Sequence, residues 1–377
     1  MQTVPRTDRS IVGHWWWTVD RWTLACLLLM LAFGGLLSFA ASPAIAERIG
    51  LTSFGLAQRH LIFLPLATIA MAIVSVLSVR LVRRIAILGF LASLLFSVLV
   101  LVAGTEMNGA TRWIGVLGFS LQPSEFMKPC FAIVAAWLFT LQKETPSVPG
   151  NLISFLLFGL VVTLLILQPD LGQTLLIAAV WGMQLVLAGL SIYWVAGLVM
   201  AGAVGMVFAY TLLPHVKTRI DIFLDPAGND AYQVTQSILS FSKGGLFGRG
   251  PGEGSIKSAL PDAHADFVFA VIGEEFGAIA CFIIVFLVMI VVLRGFLRMM
   301  KEEDFFITLA ASGILLQFGL QAVINMSSSL NLIPTKGMTL PFISYGGSSL
   351  LAMAFGMGAV LAFTRRRPSP RFSHFVP

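Results

Sequence analysis

The residues of this chain best suited to chemistry lie where polar stretches meet long apolar runs. Pro261 to Gly277, PDAHADFVFAVIGEEFG, sets His264 and Asp266 at the end of a polar loop, with Glu274 and Glu275 further into the apolar run that follows. An ionisable group at the mouth of a membrane segment costs solvation energy, which makes it a functional candidate. An Asp near a helix N-terminus is also what a cap uses, and this window alone supports both readings. Four other sets stand beside or inside apolar runs. Arg112 and Trp113 offer a fork of donors and a flat ring, suited to a phosphate or a sugar or to interfacial anchoring. Glu125 and Lys128 are three apart on one helical face, so they can pair, whether to lock the helix or to contact a ligand. Gln168, Pro169 and Asp170 interrupt two short apolar runs, a broken-helix pattern that survives at membrane depth only where it faces protein or a water-filled cavity. Lys336 precedes the hydroxyls and glycines of Ser344 to Ser349, a mixture that suits an anionic headgroup or a glycine-rich helix crossing.

Composition fixes the solvent of these groups. Of 377 residues 57% are hydrophobic and only 11% charged, with a mean hydropathy of +0.90. That describes an all-α polytopic membrane protein rather than a soluble core. Cys26, Cys130 and Cys281 all lie in apolar runs and read as buried thiols rather than a disulfide framework. The net charge of +6 comes from cations beside the apolar runs. No basic tract is interleaved with aromatics, so nucleic acid is not an expected partner.

The elements that must position the site follow in order. Residues 1–22 form a basic segment ending in Trp15, Trp16, Trp17 and Trp22, an interfacial anchor without a convincing cleavage site. Apolar runs begin near Thr23, Leu61, Ile85, Phe126, Leu152, Leu171, Ile192, Phe267, Phe305 and Ile343, giving about ten spans within residues 23–363. An even number puts both termini on one side. Arg21, Arg80, Arg83, Arg84, Lys143, Arg294, Arg298, Lys301 and the basic tail of residues 364–377 share a face, which the positive-inside rule makes cytoplasmic. On the opposite face lie Gly104 to Ser124 and a long loop between the seventh and eighth spans, Thr211 to His264, of 54 residues. Within that loop Ala231 to Phe241 carries Val234, Ile238 and Phe241 at helical spacing. The glycine-rich KGGLFGRGPGEG after it matches no nucleotide-binding fingerprint and reads as flexible or close-approach backbone.

Taken together, the strings NGATRWI, QPSEFMK, QPDLGQT, AHADFVFAVIGEEFG and LIPTKGMTLPFISYGGSSL, in that order over nearly the whole chain, resemble the SEDS family of bacterial membrane glycosyltransferases typified by RodA and FtsW. The HWWWTVDRW opening and the tail are most similar to the alphaproteobacterial FtsW branch. The resemblance implies polymerisation of lipid II into glycan strands on the outer side of the inner membrane, at the division septum. It assigns Asp266 as general base and puts Arg112, Trp113, Glu125, Lys128, Asp170, His264, Lys336 and Ser344 around the substrate. It also implies a cognate class B penicillin-binding protein, an FtsI-like transpeptidase, among other divisome partners. A divalent cation, Mg or Mn, is an expected companion of the pyrophosphate. One departure stands out: many FtsW relatives have a glutamate eight residues before the aspartate, where this chain has Ser258. A RodA-type elongation polymerase shares the same chemistry. Ten spans with buried charges and a broken helix also suit a lipid II flippase, although polar clusters gathered on one face fit an enzyme better, and a scaffold without catalysis would not need the acid and the cations together.

Overall fold

The computed structural model describes residues 10–48, 54–107, 110–116, 119–225, 232–335 and 337–365. Its elements are α1 (Ile11–Thr18), α2 (Arg21–Arg48), α3 (Gly55–Val76), α4 (Val79–Ala103), β1 (Thr105–Met107), β2 (Ala110–Val116), β3 (Phe119–Leu121), α5 (Pro123–Glu144), α6 (Gly150–Leu167) and α7 (Leu171–Leu187), followed by α8 (Ile192–Leu212), α9 (Pro214–Leu224), α10 (Tyr232–Gly244), α11 (Val268–Met299), α12 (Phe305–Ser329) and α13 (Gly347–Phe363). Each of the ten expected apolar runs coincides with a helix. Seven helices are long and apolar enough to cross a membrane, or eight when α8 and α9 count as one bent span, while α7 and α13 are shorter apolar helices. The all-α expectation did not include strands: Gly104 to Ser124 holds the antiparallel ribbon β1-β2-β3. Thr111, Trp113, Ile114 and Val116 supply the β-branched and aromatic character that favours strands.

Helices α5 and α12 form the centre. Of the spanning window of α5, 83% is buried, and of α12 67%, against 28% for α3, α4, α6 and α11. This ordering explains where polarity is tolerated, because a polar group facing protein finds partners that lipid cannot give. Gln184 on α7 donates to Ala132 O on α5 at 2.8 Å and to Leu309 O on α12 at 3.1 Å, tying three helices together. Trp181 donates to Ser154 Oγ on α6 at 2.9 Å.

The cations expected on one face gather at one end. Arg294 and Arg298 both pair with Asp20, at 2.8 and 3.0 Å, Arg365 donates to Leu77 O, and Arg83 and Lys143 stand over Trp137 and Phe305. Arg21 covers the Trp16 and Trp17 rings, as an interfacial anchor requires.

At the other end, α11 is broken. Gly277 has φ 79° and ψ −179°, so the helical hydrogen-bond ladder stops there and restarts. The glycine-rich segment replaces the lost partners. Arg249 and Gly250 amides donate to Glu274 O and Glu275 O, and the Ala278 and Ile279 amides donate to Gly245 O and Leu246 O. Gly248 is required by this approach: it has φ 79°, and a Cβ there would stand 2.2 Å from Glu275 O. The segment is therefore close-approach backbone rather than a flexible loop. α10 packs with Val234 buried and Phe241 against Phe269 of α11, while Ile238 is 46% exposed, and Ser237 donates to Ser329 O on α12.

Two buried glutamates hold the glycine-rich segment down. Glu274 accepts from the amides of Ser255, Ile256 and Lys257 at 2.7, 2.8 and 3.1 Å. Lys257 pairs with Glu275 at 2.5 Å and donates to Ala40 O on α2. Replacing Glu274 by Ala leaves three amides without acceptors, and we expect a loss of about 3 kcal/mol or more. Thermal unfolding in detergent, with limited proteolysis of residues 245–260, measures it.

Candidate active site

The broken ends of the helices and the ribbon converge on one polar region. Asp170 caps α7, accepting from the Gln173 amide at 3.3 Å. Arg112, carried on β2, donates to Gln168 O at 3.1 Å and to Pro169 O, and its Nε lies 3.8 Å from Asp170 Oδ2. The guanidinium thus fills the gap between α6 and α7 and satisfies carbonyls freed by the break. Successive residues on a strand face opposite sides, so β2 directs Arg112 and Trp113 to different faces rather than to one ligand.

Glu125 and Lys128, in the first turns of α5, form the expected pair at 2.9 Å, both buried. The pair is continued on both sides: Gln173 Nε2 donates to Glu125 Oε1 at 2.6 Å, and Lys128 donates to Gln321 Oε1 at 3.0 Å. Gln321 donates in turn to Thr339 O and Oγ1. A continuous buried chain therefore runs from Arg112 through Asp170, Gln173, Glu125 and Lys128 to the segment before α13. Beside Lys128, with Phe131, Leu176 and Gln317 in its wall, is a cavity of about 10 Å³, room for one water that would serve the unpartnered Gln317 Oε1.

Asp266 lies outside that chain, in the turn before α11, half-buried. Its backbone carbonyl accepts from Asn325 Nδ2 at 2.9 Å, and the same amide group donates to Met338 O at 2.6 Å. Ser344 Oγ donates to Ala265 O at 2.6 Å and accepts from Leu340 N at 2.7 Å. The Ser344 hydroxyl, expected against a headgroup, is thus committed to holding the main chain next to Asp266. Gly337 comes closest to the carboxylate: a Cβ there would stand 3.3 Å from Oδ2. Among the described residues no cation is within ion-pair distance of Asp266. Burial pushes its pKa up to about 7, the Asp262 charge adds to the rise, and the more distant Arg219 and Arg112 charges oppose it.

His264 packs against the Tyr345 ring at 5.3 Å, and its carbonyl accepts from the Tyr345 amide. Burial lowers its pKa against the opposing Asp262 charge, which keeps the imidazole neutral at pH 7, and its Nδ1 has no hydrogen-bond partner. It is not a helix cap. Lys336 lies outside the described residues.

Three participants escaped the sequence reading. Gln321 and Asn325 belong to a stripe on α12, Gln317, Gln321, Asn325 and Ser329, all buried and each four residues from the next. Such a polar row on an apolar span was the available signal. Arg219 on α9 is the third, a cation placed away from the basic end, whose charge acts on Asp266, Asp170 and Arg112.

Residues 20–368 match the FtsW/RodA/SpoVE family, described as cell cycle proteins. The chain is also 45% identical over 364 residues to the protein named "Probable peptidoglycan glycosyltransferase FtsW" of Caulobacter vibrioides, covering 96% of this chain and 93% of that one. The chain belongs to the FtsW/RodA/SpoVE family. Solved structures agree. A chain from a peptidoglycan synthase complex, described as coordinating polymerization and crosslinking, superposes with a TM-score of 0.73 at 27% identity, over 92% of this chain and 97% of that one. The rod shape determining protein RodA of Thermus thermophilus gives a TM-score of 0.65 at 26% identity, over 93% and 97%. The family's fold therefore extends over nearly the entire chain.

The Glu125–Lys128 pair gives a direct test of the polar chain. Lys128→Met leaves a buried carboxylate without its cation and should cost about 3–5 kcal/mol, whereas Glu125→Gln combined with Lys128→Met should recover much of that loss. Unfolding of the purified variants in mixed detergent, read as a double-mutant cycle, checks the difference.

Proposed function

We propose that this FtsW/RodA/SpoVE family member is a peptidoglycan glycosyltransferase that polymerises lipid II at the outer face of the inner membrane. The observation that carries the reading is Asp266, a half-buried carboxylate without an ion-pair partner among the described residues, with its pKa raised to about 7. A general base works best with a pKa near the operating pH. In the reaction Asp266 takes the proton of the acceptor hydroxyl as that oxygen bonds to the anomeric carbon of the donor. The bond from this carbon to the diphosphate breaks, and the lipid diphosphate leaves with the electron pair. Developing charge on the leaving group calls for cations, and Arg112 stands on the same side of the molecule.

Lys336 is assigned to the same headgroup region on its family motif. Glu125 and Lys128 act from behind as a brace, and Asp170 fixes Arg112. Trp113, on the face of β2 opposite Arg112, is assigned to a sugar contact away from the diphosphate, and His264 to a headgroup contact. A divalent cation, Mg or Mn, enters only as a companion of the diphosphate. Among the described residues no three metal-ligating side chains converge, and no step is assigned to a metal.

Both termini are cytoplasmic in this reading, supported by the basic end formed around Asp20, Arg294, Arg298 and Arg365. Similarity to an FtsW at 45% identity favours a role in division at the septum. Kinship with a chain from a synthase complex that couples polymerization to crosslinking favours an FtsI-like class B penicillin-binding protein as partner.

Purified protein with its transpeptidase and labelled lipid II tests the proposal. Glycan formation should fall by about 10²-fold or more in Asp266→Asn. The wild-type rate should rise with pH through about 7 and level off above it, because only the deprotonated carboxylate is the base. A wild type that makes no glycan, together with an Asp266→Ala variant that moves lipid II across liposomes as well as wild type does, contradicts it in favour of a flippase.

A further inference from the structure

Arg219 differs from the other cations of the polar region. Arg112 is engaged with Asp170 and two carbonyls, and Lys128 with Glu125 and Gln321. Arg219 has no carboxylate within ion-pair distance among the described residues. Its one hydrogen-bond contact among them is a long one, Nη1 to Thr335 O at 3.5 Å. A guanidinium carries five donors in a planar fork, so most of its capacity is unspent.

Its placement is built. α9 leaves α8 through a 96° bend, and Tyr210 Oη on α8 donates to Asp221 Oδ1 on α9 at 2.9 Å, bracing the elbow. Arg219, two residues before Asp221, meets the segment at Thr335. Two residues beyond, that same segment passes Asp266 at Gly337, and Asn325 fastens Met338 to the Asp266 carbonyl. The guanidinium and the carboxylate therefore stand on a single short piece of chain, and the charges of Arg219, Arg112, Asp170 and Asp266 act on one another. The donors that Arg219 retains are therefore left for an anion beside Asp266.

We propose that Arg219 is a ligand for the diphosphate of a lipid-linked substrate, held by the α8–α9 elbow beside Asp266. The assignment rests on the glycosyltransferase reading and adds a recognition residue to it. A guanidinium grips a diphosphate through paired hydrogen bonds, which a lysine reproduces as charge alone. The same chemistry would accept the phosphate of a bulk anionic phospholipid, and the test separates the two sources.

Full-length protein in nanodiscs, as wild type, Arg219→Gln and Arg219→Lys, would be titrated with labelled lipid II. Undecaprenyl diphosphate, undecaprenyl phosphate and phosphatidylglycerol would serve as competitors. We expect Arg219→Gln to weaken lipid II binding on the order of 10- to 100-fold, the loss of a charged hydrogen-bonding group, and Arg219→Lys to recover part of it. The advantage of undecaprenyl diphosphate over the monophosphate should shrink in Arg219→Gln. KM should rise more than kcat falls, and the acid limb of the rate profile should move to higher pH, since a positive charge acting on Asp266 is removed. Unchanged lipid II binding in Arg219→Gln overturns the proposal. So does a loss for phosphatidylglycerol equal to that for lipid II, which would make Arg219 a phospholipid contact. Wild type that binds lipid II but forms no glycan overturns the glycosyltransferase reading while the binding arm still decides the role of Arg219.

Discussion

The structure turns on how carboxylates are treated once they leave water. Asp20 is paired with Arg294 and Arg298, Glu125 with Lys128, Asp170 with Arg112 and Glu275 with Lys257. Glu274 is met by three backbone amides. Each is engaged by a cation or by backbone amides and so holds structure together. Asp266 is the exception among the described residues. It is enclosed enough for burial to raise its pKa to about 7, and none of the described cations lies in ion-pair range to pull it back. A group in that condition can take a proton near neutral pH and release it again.

Leaving the Asp266 carboxylate outside the ion pairs of the described residues requires a frame that does not relax around it. Asn325 and Ser344 hold the main chain on either side of Asp266 through backbone atoms, leaving the carboxylate itself uncommitted. Below it, the break at Gly277 would expose peptide groups at membrane depth, and the glycine-rich segment supplies their partners. That segment is in turn fastened by Glu274 and the Lys257–Glu275 pair. Buried charges far from the chemistry therefore serve it by fixing geometry, and Gln321 and Asn325 of α12 tie the Lys128 pair and Asp266 to the same segment before α13.

Much of this was legible in the sequence for a physical reason: charged and amide residues are so costly inside apolar runs that their positions mark function or support. The helices at the ten apolar runs, the break at Asp170, the Glu125–Lys128 pair and the basic end all followed from that cost. The ribbon carrying Arg112 was not visible, because its strands span only three to seven residues and strand pairing is non-local. The spacing of Val234 and Phe241 marked the packed side of α10, whereas the Ser237 bond to Ser329 on α12 carried no local signal. Ser344 was read as a ligand from its motif, whereas its hydroxyl is consumed by Ala265 and Leu340. Arg219 was hidden in a loop whose bend no local pattern specifies.

Direct titration of Asp266 tests the central claim most closely. Infrared difference spectra of the full-length protein, recorded from about pH 5 to 9 with Asp266→Asn as reference, isolate the stretch of one protonated carboxyl group. A band that is lost with a midpoint near 7 in the wild type and is missing from Asp266→Asn is the predicted result. A carboxylate already ionised at the acid end of that range would contradict the account, since Asp266 would then be one more paired structural acid.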